Sequence, residues 1–204
     1  MKIRNEQVPR LSEAEFSIIP IVEGEKRPHA ICLDKDHKHN LLKVAASVEV
    51  VTGWVKSGVT SWGVACGEVS GNIIVFDFDE KHYLGLYDIF YAKLADHQKV
   101  LIDKCYKSKT RNNGTHIVCR TETSQPTIKL SSRVEIDKKT GKEIIVTTSE
   151  TRGEVSYVLI SPSAGYEVMQ GSLFDLPVIP DDIHEELIDI MRTFNEVFEE
   201  PATE

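Results

Sequence analysis

Two carboxylates at the end of an apolar segment are the first residues in this sequence whose types and spacing could do chemistry. The segment spans residues 72–80 and reads Asn-Ile-Ile-Val-Phe-Asp-Phe-Asp-Glu, which is typical of a buried β-strand that ends in acids. Because side chains alternate across a sheet, Asp77 and Asp79 share one face with Val75, while Ile74 and two phenylalanines share the other. Two carboxylates are therefore predicted to project together from one strand.

A divalent cation would remove the repulsion between these two carboxylates. Like charges in a low-dielectric site disfavour joint ionisation. Ligands that offer only oxygen favour Mg²⁺ or Mn²⁺, and Mg²⁺ commonly binds one or two carboxylates together with substrate phosphates. Asp77 and Asp79 thus indicate a metal site for a phosphorylated substrate. On the pattern alone they could also end a strand in solvent, or belong to a sugar-nucleotide transferase or a phosphatase.

A histidine within a basic stretch forms a second candidate site. His116 follows a turn at residues 112–114 and begins a predicted strand. Residues 99–120 contain six basic side chains and one acidic side chain, in a chain whose formal net charge is −8. This local excess of positive charge fits phosphate binding, with His116 donating a hydrogen bond and Gly114 allowing close approach to the backbone. The alternative is a structural histidine beside a solvated face of lysines.

The composition of the 204-residue chain predicts one folded, soluble domain or two small ones. Hydrophobic residues make up 41% of the sequence, yet its longest apolar stretches are too short for a signal sequence or a membrane span. The four cysteines lie far apart without a Cys-x-x-Cys pair, so we expect no structural zinc and a reducing, cytoplasmic location. The net charge of −8 argues against a protein that coats nucleic acid through bulk charge alone.

The segments before the histidine strand predict most of the elements that position these residues. Residues 16–22 indicate an edge strand that contains a proline, and residues 40–58 indicate a helix capped at residue 40. The strands at 61–66 and 72–79 are predicted to pair as a hairpin, because a glycine-containing turn joins them. Apolar residues at helical spacing then predict a single helix from residue 83 to about residue 103.

The remaining segments complete an α+β fold with a mixed or antiparallel sheet. Strands are predicted at 105–109, 115–120 and 155–160, together with a pair between 129 and 150 whose polar tip covers residues 137–142. An amphipathic helix begins after Pro180, where Asp181 and Asp182 suit a helix N-terminus. Helices and strands mix without strict alternation, and the sequence has no internal repeat.

A third acidic motif makes the pattern recognisable. Glu150 is followed by Arg-Gly, a Tyr-Val strand, a Pro-Ser turn and Gly-Tyr at 165–166. This order resembles the third motif of the bifunctional primase/polymerase domain of the archaeo-eukaryotic primase superfamily. The earlier motifs of that family resemble, in the same chain order, Pro20, residues 26–28 (Lys-Arg-Pro), Trp54, residues 63–71, Asp77, Asp79 and residues 114–116 (Gly-Thr-His).

The resemblance covers about residues 20–166 and departs from the family pattern at three points. Serine often stands where this chain has Gly114, and Glu154 lies close enough to Glu150 to compete for the third acidic position. The sequence also has no Gly-x-x-x-x-Gly-Lys-Ser/Thr, so we do not expect it to contain the helicase often fused to such domains, and both a stand-alone primase and an excised domain remain open. We expect a primase/polymerase catalytic domain at 1–180, followed by a helix and acidic tail at 181–204.

The resemblance implies an RRM-like sheet core with flanking helices and template-directed nucleotidyl transfer on single-stranded DNA. By resemblance, two Mg²⁺ or Mn²⁺ ions would be held by three catalytic acids, and the triphosphate by a histidine and nearby cations. The acids are Asp77, Asp79 and Glu150, and the nucleotide-binding candidates are His116, Lys109, Arg111 and Arg152, with Ser161 and Ser163 as weaker ones. The implied partners are nucleoside triphosphates, a single-stranded DNA template and a helicase domain or protein, in plasmid, phage or mobile-element replication.

Two other functions remain open at this point. A metal-dependent glycosyltransferase would use Asp77 and Asp79 to hold a sugar nucleotide, but it gives no task to His116 or Glu150. An inactive replication module would bind single strands without incorporating nucleotides, although the full set of acids argues against it. Sugar transfer and nucleotide incorporation are the assays that distinguish the three functions.

Overall fold

Two β-sheets form the centre of the fold in residues 3–32 and 41–197, the part of the chain that a computed structural model describes. The smaller sheet has three strands in the order β1-β2-β8. The larger sheet has seven, in the order β6-β7-β3-β5-β4-β9, with β10 added beside β5. Neighbouring strands pair antiparallel except β10 and β5, which pair parallel.

Helices and strands alternate irregularly along the described part of the chain. The helices are α1 (Pro9–Glu13), α2 (Val48–Lys56), α3 (Leu86–Lys93), α4 (Asp96–Ile102) and α5 (Asp181–Arg192). The strands are β1 (Ile18–Ile21), β2 (Ser61–Ala65), β3 (Ile73–Phe78), β4 (Tyr106–Lys109), β5 (Thr115–Thr121), β6 (Ile128–Ile136), β7 (Glu143–Arg152), β8 (Tyr157–Ile160), β9 (Glu167–Gln170) and β10 (Val178–Ile179).

The larger sheet is covered on both faces, and β3 shows why. Ile74, Phe76 and Phe78 are fully buried against apolar residues of α3, α4 and α5. Val75 lies on the opposite face, in a core shared with the smaller sheet. The predicted alternation of β3 is confirmed, and it turns Asp77 toward the space between the two sheets.

The predicted first helix begins later than the apolar spacing indicates. The helix α2 begins at Val48, and the Ser47 side chain caps it by accepting a hydrogen bond from the backbone N–H of Val50. The preceding backbone has other partners, because Ser17 Oγ donates to the carbonyl of Leu41 and Ser12 Oγ to that of Ala46. These tertiary contacts hold residues 41–46 outside the helix, although their spacing is helical.

The predicted hairpin between residues 61–66 and 72–79 is wrong, because β2 and β3 enter different sheets. Gly67, Gly71 and Asn72 all have positive φ, and together they redirect the chain between the two strands. Arg120 fixes that connection, since its Nη1 donates to the carbonyls of Ser70 and Gly71. An isolated bridge between Gly67 and Ile73 is the pairing that connects the two segments.

The helix predicted from residue 83 to about 103 is two helices, α3 and α4. Leu94 and Ala95 are extended between them, with ψ of 141° and 160°. The Gln98 side chain accepts a hydrogen bond from the backbone N–H of Ala95 and begins α4. The apolar spacing continues through the break because Leu94 and Ile102 both enter the same core.

The later predictions agree with the structure. Strands β4 to β8 lie where the sequence predicts them, and the tip at 137–142 is a turn with Gly141 at φ +68°. The amphipathic helix α5 packs on the larger sheet through Leu187, Ile188 and Met191. The sequence pattern does not predict the short strands β9 and β10. The α+β class is confirmed, whereas the RRM-like type stays a prediction.

Two predictions fall on parts of the chain outside the described residues. They are the start of the first helix at residue 40 and the acidic tail at 199–204. Among residues 3–32 and 41–197, no helix has the length and apolar character needed to cross a membrane.

Candidate active site

A cleft of about 570 Å³ opens between the two sheets at the end of β3. One wall comes from β3, β5 and β7 of the larger sheet, and the other from β8 of the smaller sheet. The polar side chains that line it include Asp77, Asp79, His116, Glu150, Arg152, Lys26 and His82. Residues from most of the length of the chain therefore meet in one place.

The strand register places three of the predicted site residues in a row. Asp77 on β3 lies opposite His116 on β5 and opposite Glu150 on β7. His116 Nε2 is 3.4 Å from Asp77 Oδ1. Residues directly opposite one another in antiparallel strands have neighbouring side chains on the same face, so this row is fixed by backbone pairing.

A guanidinium group lies beside the two paired acids. Arg152 follows Glu150 by two residues on β7, so both side chains lie on one face. Its Nη2 contacts Glu150 Oε1, and its Nε is 3.8 Å from Asp77 Oδ2. Arg152 thus neutralises part of the charge that the two carboxylates would otherwise place side by side.

The two paired acids have pKa values shifted in opposite directions. Burial alone would raise the pKa of Asp77, but His116, Arg152 and Lys26 together hold it below the usual range. Burial raises the pKa of Glu150 despite the nearby guanidinium of Arg152, and the charge of Asp77 adds to that rise. Further positive charge at Glu150 would therefore favour its ionised form.

Asp79, the remaining predicted metal ligand, does not join this row. Asp79 follows the end of β3 and lines the cleft, but 43% of its side chain is exposed and its Oδ2 lies 3.9 Å from His82 Nε2. His82 Nδ1 is in turn 3.0 Å from Glu135 Oε2. Within residues 3–32 and 41–197, no three His, Cys, Asp or Glu side chains are already grouped closely enough to hold a metal ion.

The donors that face the cleft nevertheless fit a hard divalent cation. Asp77 and Glu150 present carboxylates side by side, and Asp79 lines the same cleft with an exposed carboxylate. These ligands are all oxygens, which Mg²⁺ and Mn²⁺ prefer. Burial also raises the pKa of Glu150, and a nearby cation would lower that pKa again by stabilising the ionised carboxylate.

A comparison with known protein families shows to which family the chain belongs. The sequence profile of the Prim-Pol family, described as bifunctional DNA primase/polymerase, N-terminal, matches residues 9–181. This chain belongs to the Prim-Pol family. Prim-Pol domains are primase/polymerase nucleotidyltransferases that act on DNA and nucleotides, and membership favours that activity over sugar transfer. No curated protein shows significant similarity to the chain.

The structure separates the two glutamates that compete for the third acidic position of the Prim-Pol pattern. Glu150 lies opposite Asp77 in the cleft. Glu154 lies beyond the end of β7, where its Oε1 accepts hydrogen bonds from the Glu68 backbone N–H and from Ser124 Oγ. Glu154 therefore holds two loops together, and Glu150 is the glutamate that lies in the cleft beside Asp77.

Lys109 of the Prim-Pol chain lies on the opposite face of the sheet from the acids. It pairs with Thr115, which also lies opposite Phe78, and Phe78 is buried among the helices. On that side, the positive charge of Lys109 acts to lower the pKa of Glu80. The prediction that Lys109 contacts the triphosphate is thus not supported, because the register turns Ser108 rather than Lys109 toward the face of His116.

Arg111 lies between two lining residues of the Prim-Pol cleft, Thr110 and Asn112, and contacts the backbone of a neighbouring turn. Its Nη1 donates to the carbonyl of Gly24 over 2.6 Å. Its guanidinium carbon lies 6.0 Å from the centre of the Tyr166 ring, and that ring lies 6.1 Å from the imidazole of His116. Arg111 is therefore close to the row but already engaged outside it.

The two serines of the Pro-Ser turn are structural in position. Ser163 Oγ accepts a hydrogen bond from the backbone N–H of Trp62 and donates to its carbonyl, joining the turn to β2. Ser161 is fully buried, and its Oγ has no hydrogen-bond partner among the described residues. Neither side chain is among the residues that line the cleft, so their prediction as phosphate ligands is not supported.

Lys26 and His82 are two of the cleft residues that lie outside the predicted set of site residues. Lys26 belongs to the Lys-Arg-Pro segment of the resemblance, and that match was the signal that could have identified it. His82 stands three residues after Asp79, a spacing that by itself indicates no function.

Glycine is required at position 153, directly after Arg152. A Cβ there would overlap the carbonyl oxygen of Gln125 and lie 2.8 Å from that of Pro126, and both are backbone atoms that cannot rotate away. We expect Gly153→Ala to lower the free energy of unfolding by about 2 kcal/mol, in the range typical of overpacking. Urea unfolding followed by circular dichroism measures the change.

A matched substitution serves as the control for Gly153→Ala. Gly53 lies within α2, and a Cβ at that position would meet no other part of the described chain within 4 Å beyond its own helix. Gly53→Ala should therefore not destabilise the fold, because alanine also favours the helix. Equal unfolding midpoints for wild type and Gly153→Ala would contradict the close packing described for position 153.

Proposed function

We propose that this protein is a DNA-directed primase/polymerase that transfers nucleotides from nucleoside triphosphates onto a growing strand in the cleft between its sheets. The observation that carries the proposal is the register that places Asp77 between Glu150 and His116 in a Prim-Pol chain. Two acids and an imidazole in one row suit a substrate that brings both a hydroxyl and a chain of phosphates.

The proposed metal ligands are Asp77, Glu150 and Asp79, with Mg²⁺ or Mn²⁺ as the ion. When bound, two such ions would supply Lewis-acid chemistry, lowering the pKa of the attacking hydroxyl and stabilising the pyrophosphate that leaves. The side chains around them have separate tasks. His116 donates a hydrogen bond to a phosphate oxygen, and Arg152 offers its guanidinium to the phosphates when it releases Glu150.

The proposed substrates are nucleoside triphosphates and a single-stranded DNA template. Because the net charge is −8, we expect template affinity to be low and to fall further as salt rises. A helicase domain or protein would supply the additional affinity. Replication of a plasmid, phage or other mobile element is the setting that the family resemblance implies.

Synthesis on unprimed DNA tests the proposed function. The protein is incubated with single-stranded DNA, labelled nucleotides and Mn²⁺, and the products are resolved by size. We expect labelled products longer than a dinucleotide, which disappear in excess chelator. Synthesis that persists in chelator would contradict the metal role, and binding of single strands without incorporation would favour the inactive replication module.

His116 provides a narrower prediction within this function. We expect His116→Ala to weaken nucleotide affinity by about tenfold, the loss typical of one charge-assisted hydrogen bond. Template affinity should change much less, because the imidazole lies in the row of acids rather than at the rim. Titration calorimetry with ATP, and fluorescence anisotropy with a labelled single strand, measure the two affinities.

The control for this prediction is another histidine. His97→Ala removes an imidazole from the exposed face of α4, outside the cleft, and should change neither affinity. An unchanged nucleotide affinity in His116→Ala would remove His116 from the site.

A further inference from the structure

A short turn forms one lip of the cleft and carries a lysine that has no task in the proposed function so far. The turn spans residues 22–28 and follows β1. It closes on itself through hydrogen bonds from the Val22 N–H to the Arg27 carbonyl and from the His29 N–H to the Pro20 carbonyl. We refer to residues 22–28 as the lip turn.

Two side chains from distant parts of the chain hold the lip turn in place. Tyr157, at the start of β8, donates its hydroxyl to the carbonyl of Lys26 over 2.7 Å. Arg111, in the loop between β4 and β5, donates Nη1 to the carbonyl of Gly24 over 2.6 Å. Both bonds go to backbone oxygens, so they fix the path of the turn without occupying its side chains.

The lip turn places Lys26 in the cleft that also holds the acids. Lys26 lines the cleft, and its positive charge acts to lower the pKa of both Asp77 and Glu150. Lys26 is exposed, and it belongs to the lip turn rather than to the strands that carry the row. A lysine in this position combines a mobile point charge with an anchored backbone, which suits the binding of a phosphate chain.

We propose that Lys26 binds the phosphates of the incoming nucleoside triphosphate, and that Tyr157 and Arg111 are positioning residues that act through the lip turn. This inference rests on the proposed function and names a ligand of the same cleft. The triphosphate is favoured over the template backbone because Lys26 lines the same cleft as the acid row, where the transferred phosphate must lie. Arg111 acts through the carbonyl of Gly24 rather than by direct contact with phosphate.

Nucleotide binding by single and double variants tests this assignment. Titration calorimetry compares ATP with AMP for wild type and for Lys26→Ala, in chelator and again with Mg²⁺. We expect Lys26→Ala to weaken ATP binding about tenfold, the scale of a lost charged hydrogen bond, and to leave AMP binding unchanged. Lys43→Ala is the control, because Lys43 is exposed and lies outside this cleft.

The positioning roles are tested by double-mutant cycles. Tyr157→Phe keeps the ring and removes only the hydroxyl that binds the Lys26 carbonyl. It should weaken ATP binding in the wild-type background and have no further effect when Lys26 is already alanine. Arg111→Ala should behave in the same way. Additive losses would show that these side chains act independently of Lys26 and would overturn their assignment.

The outcomes separate this inference from the proposed function. If wild type binds ATP and Lys26→Ala binds it equally well, the assignment of Lys26 is wrong while the primase/polymerase proposal stands. If Lys26→Ala weakens the binding of a single-stranded oligodeoxynucleotide as much as it weakens the binding of ATP, the ligand is the template backbone. The assignment is then also overturned. Wild type that binds no ATP under either condition overturns both proposals.

Discussion

Asp77→Asn is expected to reduce nucleotide incorporation by about a thousandfold or more, the scale of losing a preorganised charge in an active site. Asp77 is the centre of the row, with His116 on one side, Glu150 on the other and Arg152 within reach. Asparagine has nearly the same shape but only one oxygen and no charge. The substitution therefore removes a proposed metal ligand and the partner that orients His116.

Incorporation by Asp77→Asn is measured as labelled product formed per enzyme in Mn²⁺, alongside thermal unfolding followed by circular dichroism. The fold should survive, because Asp77 lies at the open end of β3 and its apolar neighbours Val75 and Phe76 are untouched. Asp175→Asn is the matched control, since Asp175 is exposed between β9 and β10. Wild-type incorporation by Asp77→Asn would remove this residue from the catalytic centre.

Glu150→Gln and Glu154→Gln are expected to have opposite consequences. Glu150→Gln should reduce incorporation by at least about a hundredfold, because it removes the carboxylate that faces Asp77. Glu154→Gln should leave incorporation within about twofold but lower the free energy of unfolding by about 1–2 kcal/mol, because it weakens the hydrogen bonds from Glu68 and Ser124. Each variant is the control for the other.

The same two assays, labelled product and urea unfolding, apply to both glutamate variants. A large loss of incorporation in Glu154→Gln, with full activity in Glu150→Gln, would reverse the assignment of the third acid. Stability adds an independent test. The hydrogen bond from Ser124 lowers the pKa of Glu154 in the folded state, so its ionised form stabilises the fold at neutral pH. That contribution is lost as pH falls through the lowered pKa, and Glu154→Gln should not show the loss.

The sequence predicts which face of β3 carries the acids, but not which residues lie opposite them. Alternation along one strand is local, so the pattern around Asp77 is sufficient. Pairing between strands is set by turns and bulges far along the chain, and this decides that Glu150 rather than Glu154 faces Asp77. The same limit explains the prediction for Lys109. Its basic neighbours indicate phosphate binding, but the register places Lys109 on the face of the sheet that packs against the helices.

Two of the errors in secondary structure, the start of α2 and the predicted hairpin, have a common physical origin in long-range contacts. The start of α2 depends on Ser12 and Ser17, which take backbone carbonyls that a longer helix would have used. The separation of β2 from β3 depends on Arg120, which binds the connection from a strand that follows later in the chain. Neither contact leaves a signal at the position that it changes, whereas α5 is predicted from its own stripe of apolar residues.

The most direct measurement of the central claim is anomalous diffraction from crystals grown with Mn²⁺ and a nucleoside triphosphate that cannot be cleaved between its α- and β-phosphates. We predict manganese bound by the carboxylates of Asp77 and Glu150, with the phosphates beside His116. Manganese bound elsewhere, with Arg152 still paired to Glu150 and the triphosphate outside the cleft, would contradict the account.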